Sequence, residues 1–401
     1  MSITYTTSKD QVTPPPNDWD RGGLPAWAYT SAEFFDLEKE ILFRRQWQIA
    51  GHISDVPEPG DYVCFDIVGE RALIVHGKDS QIRAFHNVCR HRGSRVVADD
   101  HGSCKTALVC PFHGWSFNLD GTFRTAPAPR SFPDLDPVEH GLVPLELEIW
   151  MGFLFVRFKP GPQPSVADLM APVAREVGYY RPEDMISDYG ISSDTIPVNW
   201  KAVRDVDNEG YHVPIAHPGL QDLYGKQYYD EQLPGGISRS FAPFNEEDGR
   251  LWSVKKYRKL LPEVEHLPES HRNAWLYIGL FPNAVLFFYP QSIGFYQEVP
   301  VSATETIQRG ADYVMPDMCR ELKAAQYLGH RINREAVEED IQLTIWSCEA
   351  AHSSGYQGII LSDLEYGVRA HHDGLRELLP VLNSAEEPAP GTLAEVNASY
   401  Q

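Results

Sequence analysis

Hydrophobic and polar positions predict a helix near the start of the chain, followed by a strand-rich segment. Ser31–Trp47 has the apolar spacing of a helix, with Ser31 as its N-cap. From Gly60 to about Val156 the pattern changes to short alternating runs separated by turn residues, which is typical of antiparallel strands. The strands predicted first in this segment are Tyr62–Val68, Arg71–His76 and, after a turn at Gly77-Lys78-Asp79-Ser80, Ile82–Asn87.

The remainder of the chain mixes helices and strands, and it ends in a segment predicted to be a frayed tail from Glu386 onward. The predicted elements are a strand-rich stretch at Trp275–Val301 with a turn at Pro282-Asn283, a helix at Glu335–His352, and a helix that starts at a Ser362/Glu365 capping box and runs to Leu379. Pro160-Gly161-Pro162 interrupts the strand pattern and marks the preferred boundary between two domains. We therefore expect an N-terminal arm and helix at 1–45, an all-β domain at 46–158 and an α+β domain at 159–401, with the first part packed against the third.

Composition and charge exclude several classes of function. The chain has 401 residues, which is enough for two domains with cores of their own. Its net charge of −21 argues against nucleic acid or an anionic membrane as a partner, because both repel such a surface. The first residues lack the basic start and apolar core of a signal peptide, and no apolar run approaches membrane-spanning length. We expect a soluble cytoplasmic protein.

Two short segments carry one Cys and one His each: Cys89-Arg90-His91 and Cys110-Pro111-Phe112-His113-Gly114-Trp115. Two thiolates and two imidazoles can hold a [2Fe–2S] cluster with both Cys on one iron and both His on the other. Imidazole in place of thiolate removes negative charge, so such a cluster accepts an electron more readily than one with four Cys ligands. The sequence therefore predicts a one-electron carrier in the strand-rich segment.

A structural zinc site with the same Cys₂His₂ ligands is the alternative interpretation. It is less favoured because zinc fingers usually pair Cys with Cys and His with His, and because the Cys-x-His spacing is too tight for the usual zinc knuckle. The other cysteines lie outside both loops and are interpreted as packing residues or free thiols: Cys64, Cys104, Cys319 and Cys348.

A second metal site is predicted around His212 and His217. On a regular helix their side chains would point roughly 140° apart, so they can share a metal only if the backbone is distorted. Pro214 supplies a reason for distortion. Glu209 and Asp205, three and seven residues before His212, are expected on the same helix face.

Asp340 is the candidate for a third, carboxylate ligand. It shares a stripe of the predicted helix with Val337, Ile341, Thr344 and Cys348, whereas Glu338 and Glu339 are expected to point elsewhere. A carboxylate on an apolar face is costly unless it is paired or binds a metal. Two His and one carboxylate suit non-haem Fe(II) and leave positions open for O₂. The alternative is that the two His are structural and that Asp340 only favours the start of a helix, but the redox cluster upstream favours the metal site.

Together these segments closely resemble the large (α) subunits of Rieske non-haem iron oxygenases, from about Phe34 to His371. The resemblance also rests on Asn199-Trp200-Lys201 and on Glu339-Asp340. It implies an α+β fold, with an all-β Rieske [2Fe–2S] domain inserted near the start of a helix-grip (START-like) catalytic domain built on an antiparallel sheet. The ligands that it implies are Cys89, His91, Cys110 and His113 for the cluster, and His212, His217 and Asp340 for the mononuclear iron.

The resemblance also implies a head-to-tail homotrimer, or a dimer of such trimers. In such trimers the cluster of one subunit serves the iron of its neighbour through a carboxylate that bridges two metal-bound imidazoles. Glu209 occupies the position of that bridge. A carboxylate that accepts a hydrogen bond from each imidazole would fix both rings. The alternative is that Glu209 only orients His212 within one subunit.

We expect the terminal oxygenase component of a multicomponent system, which uses O₂ and electrons from NAD(P)H. No Gly-rich dinucleotide fingerprint follows a strand, so the nicotinamide and flavin are expected on a separate reductase, with or without a ferredoxin. The product would be a monohydroxylated or dihydroxylated compound, or one that has lost a methyl group as formaldehyde.

Three classes of function remain open. Aromatic residues are frequent in the strand region expected to line the pocket: Trp275, Tyr277, Phe281, Phe287, Phe288, Tyr289, Phe295 and Tyr296. Such a wall suits an aromatic ring by stacking and a quaternary ammonium group by cation–π contact. An aromatic substrate is favoured. N-demethylation or hydroxylation of a small betaine- or carnitine-like amine is the alternative, which Glu209 encourages. The third class is an electron-transfer Rieske protein without oxygenase activity.

Overall fold

The computed structural model describes residues 18–132, 134–351 and 353–400. The predicted arm before residue 18, and the predicted helix end at His352, lie outside these residues. Contacts divide the chain into two compact units. One is Phe43–Asp168, and the other combines the residues before Phe43 with those from Leu169 onward. The predicted domain limits at 45/46 and 158/159 stay a prediction.

The unit Phe43–Asp168 is built mainly from short antiparallel strands. These strands are β1 Gln48–His52, β2 Asp61–Ile67, β3 Glu70–His76, β4 Ile82–His86, β5 His101–Ser103, β6 Leu108–Val109, β7 Ser116–Phe117, β8 Phe123–Thr125, β9 Glu146–Trp150 and β10 Phe153–Arg157. They form sheets in the orders β1-β10-β9, β4-β3-β2-β5 and β6-β7-β8. The strands predicted in this segment are confirmed to within a residue or two, and so is the turn, where the backbone N–H of Gly77 donates to the carbonyl of Gln81 at 2.8 Å.

The other unit contains an eight-stranded antiparallel sheet. Its strands are β11 Ile186–Ser187, β12 Ser192–Ile196, β13 Tyr229–Leu233, β14 Ile237–Pro243, β15 Ala274–Leu280, β16 Ala284–Phe288, β17 Ile293–Ser302 and β18 Glu305–Val314. The order is β11-β18-β17-β16-β15-β14-β13, and β12 also pairs with β18. The strand-rich stretch predicted at Trp275–Val301, with its turn at Pro282-Asn283, is confirmed. Helices pack against this sheet, which confirms the α+β class.

The helices are α1 Ala32–Glu38, α2 Val166–Leu169, α3 Ala174–Gly178, α4 Trp200–Asp207, α5 Val213–Ala216, α6 Pro218–Leu223, α7 Trp252–Leu260, α8 Arg320–Ala351, α9 Tyr366–Leu378 and α10 Leu393–Ser399. A π-helical turn, Lys39–Phe43, continues α1. The cap at Ser31 is confirmed, because its Oγ accepts from the backbone N–H of Phe34 at 3.1 Å. The predicted extension of this helix to Trp47 is wrong, since the helical backbone ends at Phe43 and β1 begins at Gln48. Among the described residues, no helix combines the length and apolar composition needed to cross a membrane.

One predicted helix start is wrong. The helix predicted to start at Glu335 begins at Arg320, because a buried stripe at helical spacing extends it toward the N-terminus: Ala325, Leu328, Ile332 and Ala336. The predicted capping box is confirmed, because the Ser362 backbone N–H donates to the Glu365 carboxylate at 2.8 Å. A 3-10 turn follows it and precedes α9.

The prediction of a frayed tail is also wrong, because α10 lies there with Leu393 buried. The Glu33 carboxylate accepts hydrogen bonds from the backbone N–H groups of Gly391 and Leu393, at 2.8 and 3.0 Å. These bonds satisfy donors at the start of the helix that would otherwise lack partners.

Candidate metal centres

The two Cys-plus-His loops have the same backbone geometry. In the first, the N–H of Cys89 donates to the carbonyl of Ser94 and the carbonyl of Cys89 accepts from Gly93. In the second, Cys110 makes the same pair of bonds with Trp115 and Gly114. Gly93 and Gly114 have φ values of +74° and +72°, a conformation that favours glycine. The sequence thus folds both loops into matching turns that present one thiol and one imidazole each.

The side chains of the two loops converge on one another. The rings of His91 and His113 lie 4.6 Å apart, and His91 stacks on Trp115 at 5.0 Å. Burial and the neighbouring Cys110 thiol raise the pKa of Cys89. The Nδ1 atom of His91 is buried and has no hydrogen-bond partner among the described residues. A buried ring nitrogen without a partner, beside two adjacent thiols, fits a metal cluster that would complete its coordination.

The backbone around His212 and His217 is not one regular helix. α4 ends at Asp207, His212 precedes the four-residue helix α5, and His217 separates α5 from α6 with φ −119° and ψ 83°. The backbone between the two His is therefore distorted from a regular helix, as a shared metal requires. Its predicted cause is wrong, because Pro214 lies in the first turn of α5, where proline is tolerated.

His212, His217 and Asp340 come together, although Asp340 lies on α8. The Nε2 atoms of the two His are 3.0 Å apart, and Asp340 Oδ1 lies 2.9 Å from His217 Nε2 and 3.5 Å from His212 Nε2. Two ligand atoms at about 2.1 Å from one metal and at right angles to each other are about 3.0 Å apart. The three side chains are therefore spaced as ligands of a single ion would be, and they are the one such group of His, Cys or carboxylate side chains found among the described residues.

Each of these imidazoles has a carboxylate on its other nitrogen. Glu209 Oε1 lies 2.5 Å from His212 Nδ1, and Glu339 Oε2 lies 2.9 Å from His217 Nδ1. The expectation that Glu339 points away from the site is therefore wrong. Proteins commonly hold metal-binding His in this way, because a carboxylate on Nδ1–H leaves the Nε2 lone pair free for the metal. Two Nε2 lone pairs facing each other at 3.0 Å would repel without a cation between them.

The charges around the site also favour a cation. Burial lowers the pKa of His212, but the hydrogen bond to Glu209 and the charges of Glu209 and Asp340 outweigh it and raise the pKa. For His217 burial is likewise outweighed, by Asp340 and Glu339. Both imidazoles would therefore hold a proton readily in the absence of metal, and a metal ion at this place would replace that positive charge.

Glu209 also accepts hydrogen bonds from the backbone. Its Oε2 atom accepts from the N–H groups of Tyr211 and His212, the latter at 3.2 Å. These bonds fix the turn between α4 and α5 and so position the ring of His212. The side chain is only 9% exposed.

Asp205 does not belong to this group, contrary to the prediction. Its carboxylate accepts from Tyr29 Oη at 2.5 Å and from His372 Nε2 at 2.8 Å. The helix α4 ends before Glu209, so the helical spacing that would place Asp205 beside His212 does not continue. Burial raises the pKa of Asp205, but His372 and Tyr29 outweigh this effect and lower it, so the carboxylate is held by internal hydrogen bonds.

The motif Asn199-Trp200-Lys201 has a structural role. Asn199 Oδ1 caps α4 by accepting from the Lys201 N–H at 3.0 Å, and its Nδ2 donates to the carbonyl of Ala303 at 2.7 Å. The buried Lys201 ammonium lies 2.7 Å from Glu38 Oε1, which also accepts from Trp200 Nε1 at 3.2 Å. The motif thus anchors the start of the helix that leads to the His pair.

A cavity of about 410 Å³ lies beside the His212/His217/Asp340 group. Aromatic side chains form much of its wall: Tyr224, Tyr228, Tyr277, Phe287, Tyr289, Phe295 and Tyr296. Five of the eight aromatic residues predicted for this region are among them. Trp275 and Phe288 are fully buried instead, and Phe281 packs near His371, at 5.5 Å between ring centres.

Tyrosine hydroxyls in this wall make hydrogen bonds to one another and to neighbouring polar side chains. Asn333 Nδ2 donates to Tyr289 Oη at 3.0 Å, and Tyr289 Oη donates to Tyr277 Oη at 3.2 Å. Tyr296 Oη donates to Asp207 at 2.8 Å, and burial raises the pKa of Tyr224, Tyr277 and Tyr296. The hydroxyls therefore stay protonated, and the wall offers polar groups as well as ring faces. Sequence reasoning missed Tyr224 and Tyr228, because they lie outside the strand-rich stretch on which it relied.

Comparison with known proteins agrees with this geometry. Residues 46–140 match the model of the Rieske [2Fe–2S] domain, and residues 175–380 match that of the ring-hydroxylating α subunit, catalytic domain. The chain is 33% identical over 316 residues to the carnitine monooxygenase oxygenase subunit of Acinetobacter baumannii, covering 77% of this chain and 79% of that protein. It is 33% identical over 199 residues to the glycine betaine monooxygenase oxygenase subunit of Pseudomonas aeruginosa, covering 49% and 45%.

Among solved structures, the fold is similar to that of a quaternary ammonium Rieske monooxygenase that oxidises carnitine. The TM-score is 0.74 at 25% identity, and the match covers 89% of this chain and 95% of the other. The predicted fold, a Rieske domain with an antiparallel-sheet catalytic domain, is confirmed. The two domains imply a Rieske cluster and a mononuclear iron as cofactors. The chain belongs to the Rieske non-haem iron oxygenases, as an oxygenase (α) subunit.

Proposed function

We propose that this oxygenase hydroxylates a carbon next to the nitrogen of a small quaternary ammonium compound. This is the alternative of the sequence analysis, and the relatives support it better than the aromatic substrate favoured there. Oxygenase subunits that act on carnitine and glycine betaine are about one-third identical to this chain. Nothing among these relatives supports a role in aromatic hydrocarbon catabolism.

The observation that carries the proposal is the composition of the cavity wall beside His212, His217 and Asp340. Five tyrosines and two phenylalanines line it. Aromatic faces attract a desolvated ammonium group by about 2 kcal/mol or more in favourable cases. A purely hydrocarbon substrate would desolvate the tyrosine hydroxyls and the nearby charged side chains, and it would offer them no polar group in return. A methylated cation with a polar end suits both features.

We propose Cys89, His91, Cys110 and His113 as the ligands of the [2Fe–2S] cluster, and His212, His217 and Asp340 as those of the mononuclear iron. When bound, the two centres would supply stored electrons and an O₂-binding position, respectively. Glu209 and Glu339 would hold the two imidazoles in the orientation that points Nε2 at the metal. The aromatic wall would hold the cationic nitrogen so that one of its carbon substituents faces this group.

The reaction balances with one oxygen atom inserted into a C–H bond and the other released as water, at the expense of two electrons and two protons. Oxidation at an N-methyl carbon gives an N-hydroxymethyl ammonium compound. Its collapse breaks the C–N bond and yields formaldehyde, a tertiary amine and a proton.

We further propose that a separate reductase, with or without a ferredoxin, carries the NAD(P)H and flavin chemistry, and that the chain works as a homotrimer. The names of the relatives support a system of several components, since each is described as an oxygenase subunit. One solved relative is described in terms of inter-subunit electron transfer. In that arrangement Glu209 would lie on the electron route between subunits.

A single-turnover experiment tests the substrate class without the reductase. The iron-loaded protein is reduced with dithionite, freed of reductant and mixed with O₂ and one candidate compound: glycine betaine, carnitine, γ-butyrobetaine, choline or, for comparison, naphthalene or benzoate. We expect oxidised product, with formaldehyde where a methyl group is attacked, from at least one ammonium compound. Product from the aromatic compounds alone would overturn the proposal.

A further inference from the structure

The basic side chains that line the cavity differ in whether another group of the protein already engages them. Arg204 lies 2.6 Å from Asp207 and donates to Asn208 at 2.8 Å. His330 lies 2.9 Å from Asp312, and Arg309 donates to Gln297 at 3.1 Å. The internal positive charges of the wall are therefore engaged by groups of the protein itself.

Arg334 is different. It lies on α8, lines the same cavity and is exposed. Among the described residues, no hydrogen bond or ion pair engages its guanidinium. Its neighbour Arg331, by contrast, pairs with Glu335 at 2.9 Å. Asp194 also lines the cavity from β12, but no ion pair joins it to Arg334 in the described part of the chain. A fork of five N–H donors thus faces the cavity without a protein acceptor.

We infer that Arg334 binds the carboxylate of a zwitterionic substrate, so that this oxygenase selects betaine-type ammonium acids over ammonium alcohols. The inference rests on the proposed function and names its substrate class more closely. Guanidinium and carboxylate groups match in a bidentate arrangement, which fixes orientation as well as adding attraction. Aromatic faces hold the cationic end, and Arg334 holds the anionic end.

The position of Arg334 on α8 agrees with such a molecule. It lies six residues before Asp340, which is about 9 Å along a helix axis. Val337 and Ile341, which also line the cavity, lie on the same helix. A compound that places a methyl group at the metal group and a carboxylate at Arg334 therefore has a short chain between its two ends. The cavity volume of about 410 Å³ is large enough for such a compound.

Glycine betaine and choline provide a matched pair of probes, because they share the trimethylammonium group and differ in carboxylate versus hydroxymethyl. γ-Butyrobetaine adds a longer chain. Binding is measured by calorimetric titration, and KM and kcat by substrate-dependent O₂ uptake, in the wild type, Arg334→Gln, Arg334→Lys and the control Arg331→Gln. Arg331 is on the same helix, and its charge is engaged by Glu335.

We expect the wild type to prefer a carboxylate compound over choline. Arg334→Gln should raise Kd and KM for that compound by about 10- to 100-fold, the range for a lost charge-assisted hydrogen bond. Kd for choline should change by less than about twofold, with kcat nearly constant. Arg334→Lys should restore part of the preference, and Arg331→Gln should behave as the wild type.

Three results would overturn the inference. One is an equal loss of affinity for betaine and choline in Arg334→Gln, which would mark a general effect on the cavity. Another is unchanged affinity for every probe in that variant, in which case the proposed function still stands. The third is a wild type that binds none of the ammonium compounds, which would overturn the proposed function together with the inference.

Discussion

Glu339 Oε2 lies 2.9 Å from Nδ1 of His217, while Oδ1 of Asp340, the next residue on α8, lies 2.9 Å from Nε2 of the same ring. Two consecutive residues of one helix thus engage both nitrogens of one imidazole. The first would orient the ring, and the second would share the metal with it.

Glu339→Gln is expected to weaken binding of the mononuclear iron by about 10- to 100-fold, because the charged partner of the Nδ1–H is lost. The measurement is the amount of iron that this site retains at increasing concentrations of a chelator. The visible spectrum of the cluster serves as an internal reference. Glu338→Gln, on the same helix, is the matched control. Equal iron retention in both variants would contradict the positioning role of Glu339.

Glu209→Gln separates the two roles considered for Glu209. Its Oε2 already accepts from two backbone N–H groups, whereas its Oε1 accepts, among the described residues, only from His212 and keeps a second lone pair for a donor of a neighbouring subunit. If Glu209 links the two centres, the variant should keep most of its mononuclear iron but reoxidise its reduced cluster at least about tenfold more slowly when substrate and O₂ are added.

Stopped-flow absorbance of the cluster, together with iron analysis, checks this expectation. A variant that loses the iron in parallel with its activity would indicate that Glu209 only orients His212. Full activity with full iron would remove both roles.

Asp230 should make stability depend on pH. Burial raises its pKa from 3.8 to about 6, although the hydroxyls of Ser240 and Tyr228 donate to it and act in the opposite sense. Because the folded protein binds this proton more tightly than the unfolded chain, its contribution to stability falls as pH rises from about 4 to about 6. The Asp230→Asn variant has no carboxyl group to titrate here, so its stability does not fall with pH for this reason.

The free energy of unfolding of Asp230→Asn, relative to the wild type, should therefore increase by about 1 kcal/mol between about pH 5 and about pH 7. Urea titrations at the two pH values measure it, with the exposed Asp317→Asn as the control. A difference that does not change with pH would show that the buried carboxyl is not the titrating group.

Most of the proposed metal ligands can be suggested from sequence because they are close in the chain. Cys89 and His91, or Cys110 and His113, belong to single turns, so spacing alone suggests their use. The proposed third ligand, Asp340, lies 123 residues or more from either His, and only the resemblance to a family makes the assignment specific. Glu339 was missed because helical periodicity places it about 100° from Asp340, although its longer side chain reaches His217.

The limits of the elements and the cavity were less predictable. The early start of α8 follows a buried apolar stripe that begins at Ala325 and is visible in the sequence. The helix α10 depends on a distant cap, Glu33, which no local pattern reveals. Alternation along the strands predicts that some of the aromatic residues face the cavity. Which of them do so depends on the register between strands, for example on the pairing of Tyr277 with Phe287.

The most direct test of the account is iron analysis of His217→Ala beside the wild type, with cluster absorbance and O₂-dependent turnover measured on the same samples. The wild type should contain three irons per chain, two in the cluster and one in the mononuclear site. The variant should contain two, with an unchanged cluster spectrum and no turnover. A variant that keeps its third iron and its turnover would contradict the assignment of this site.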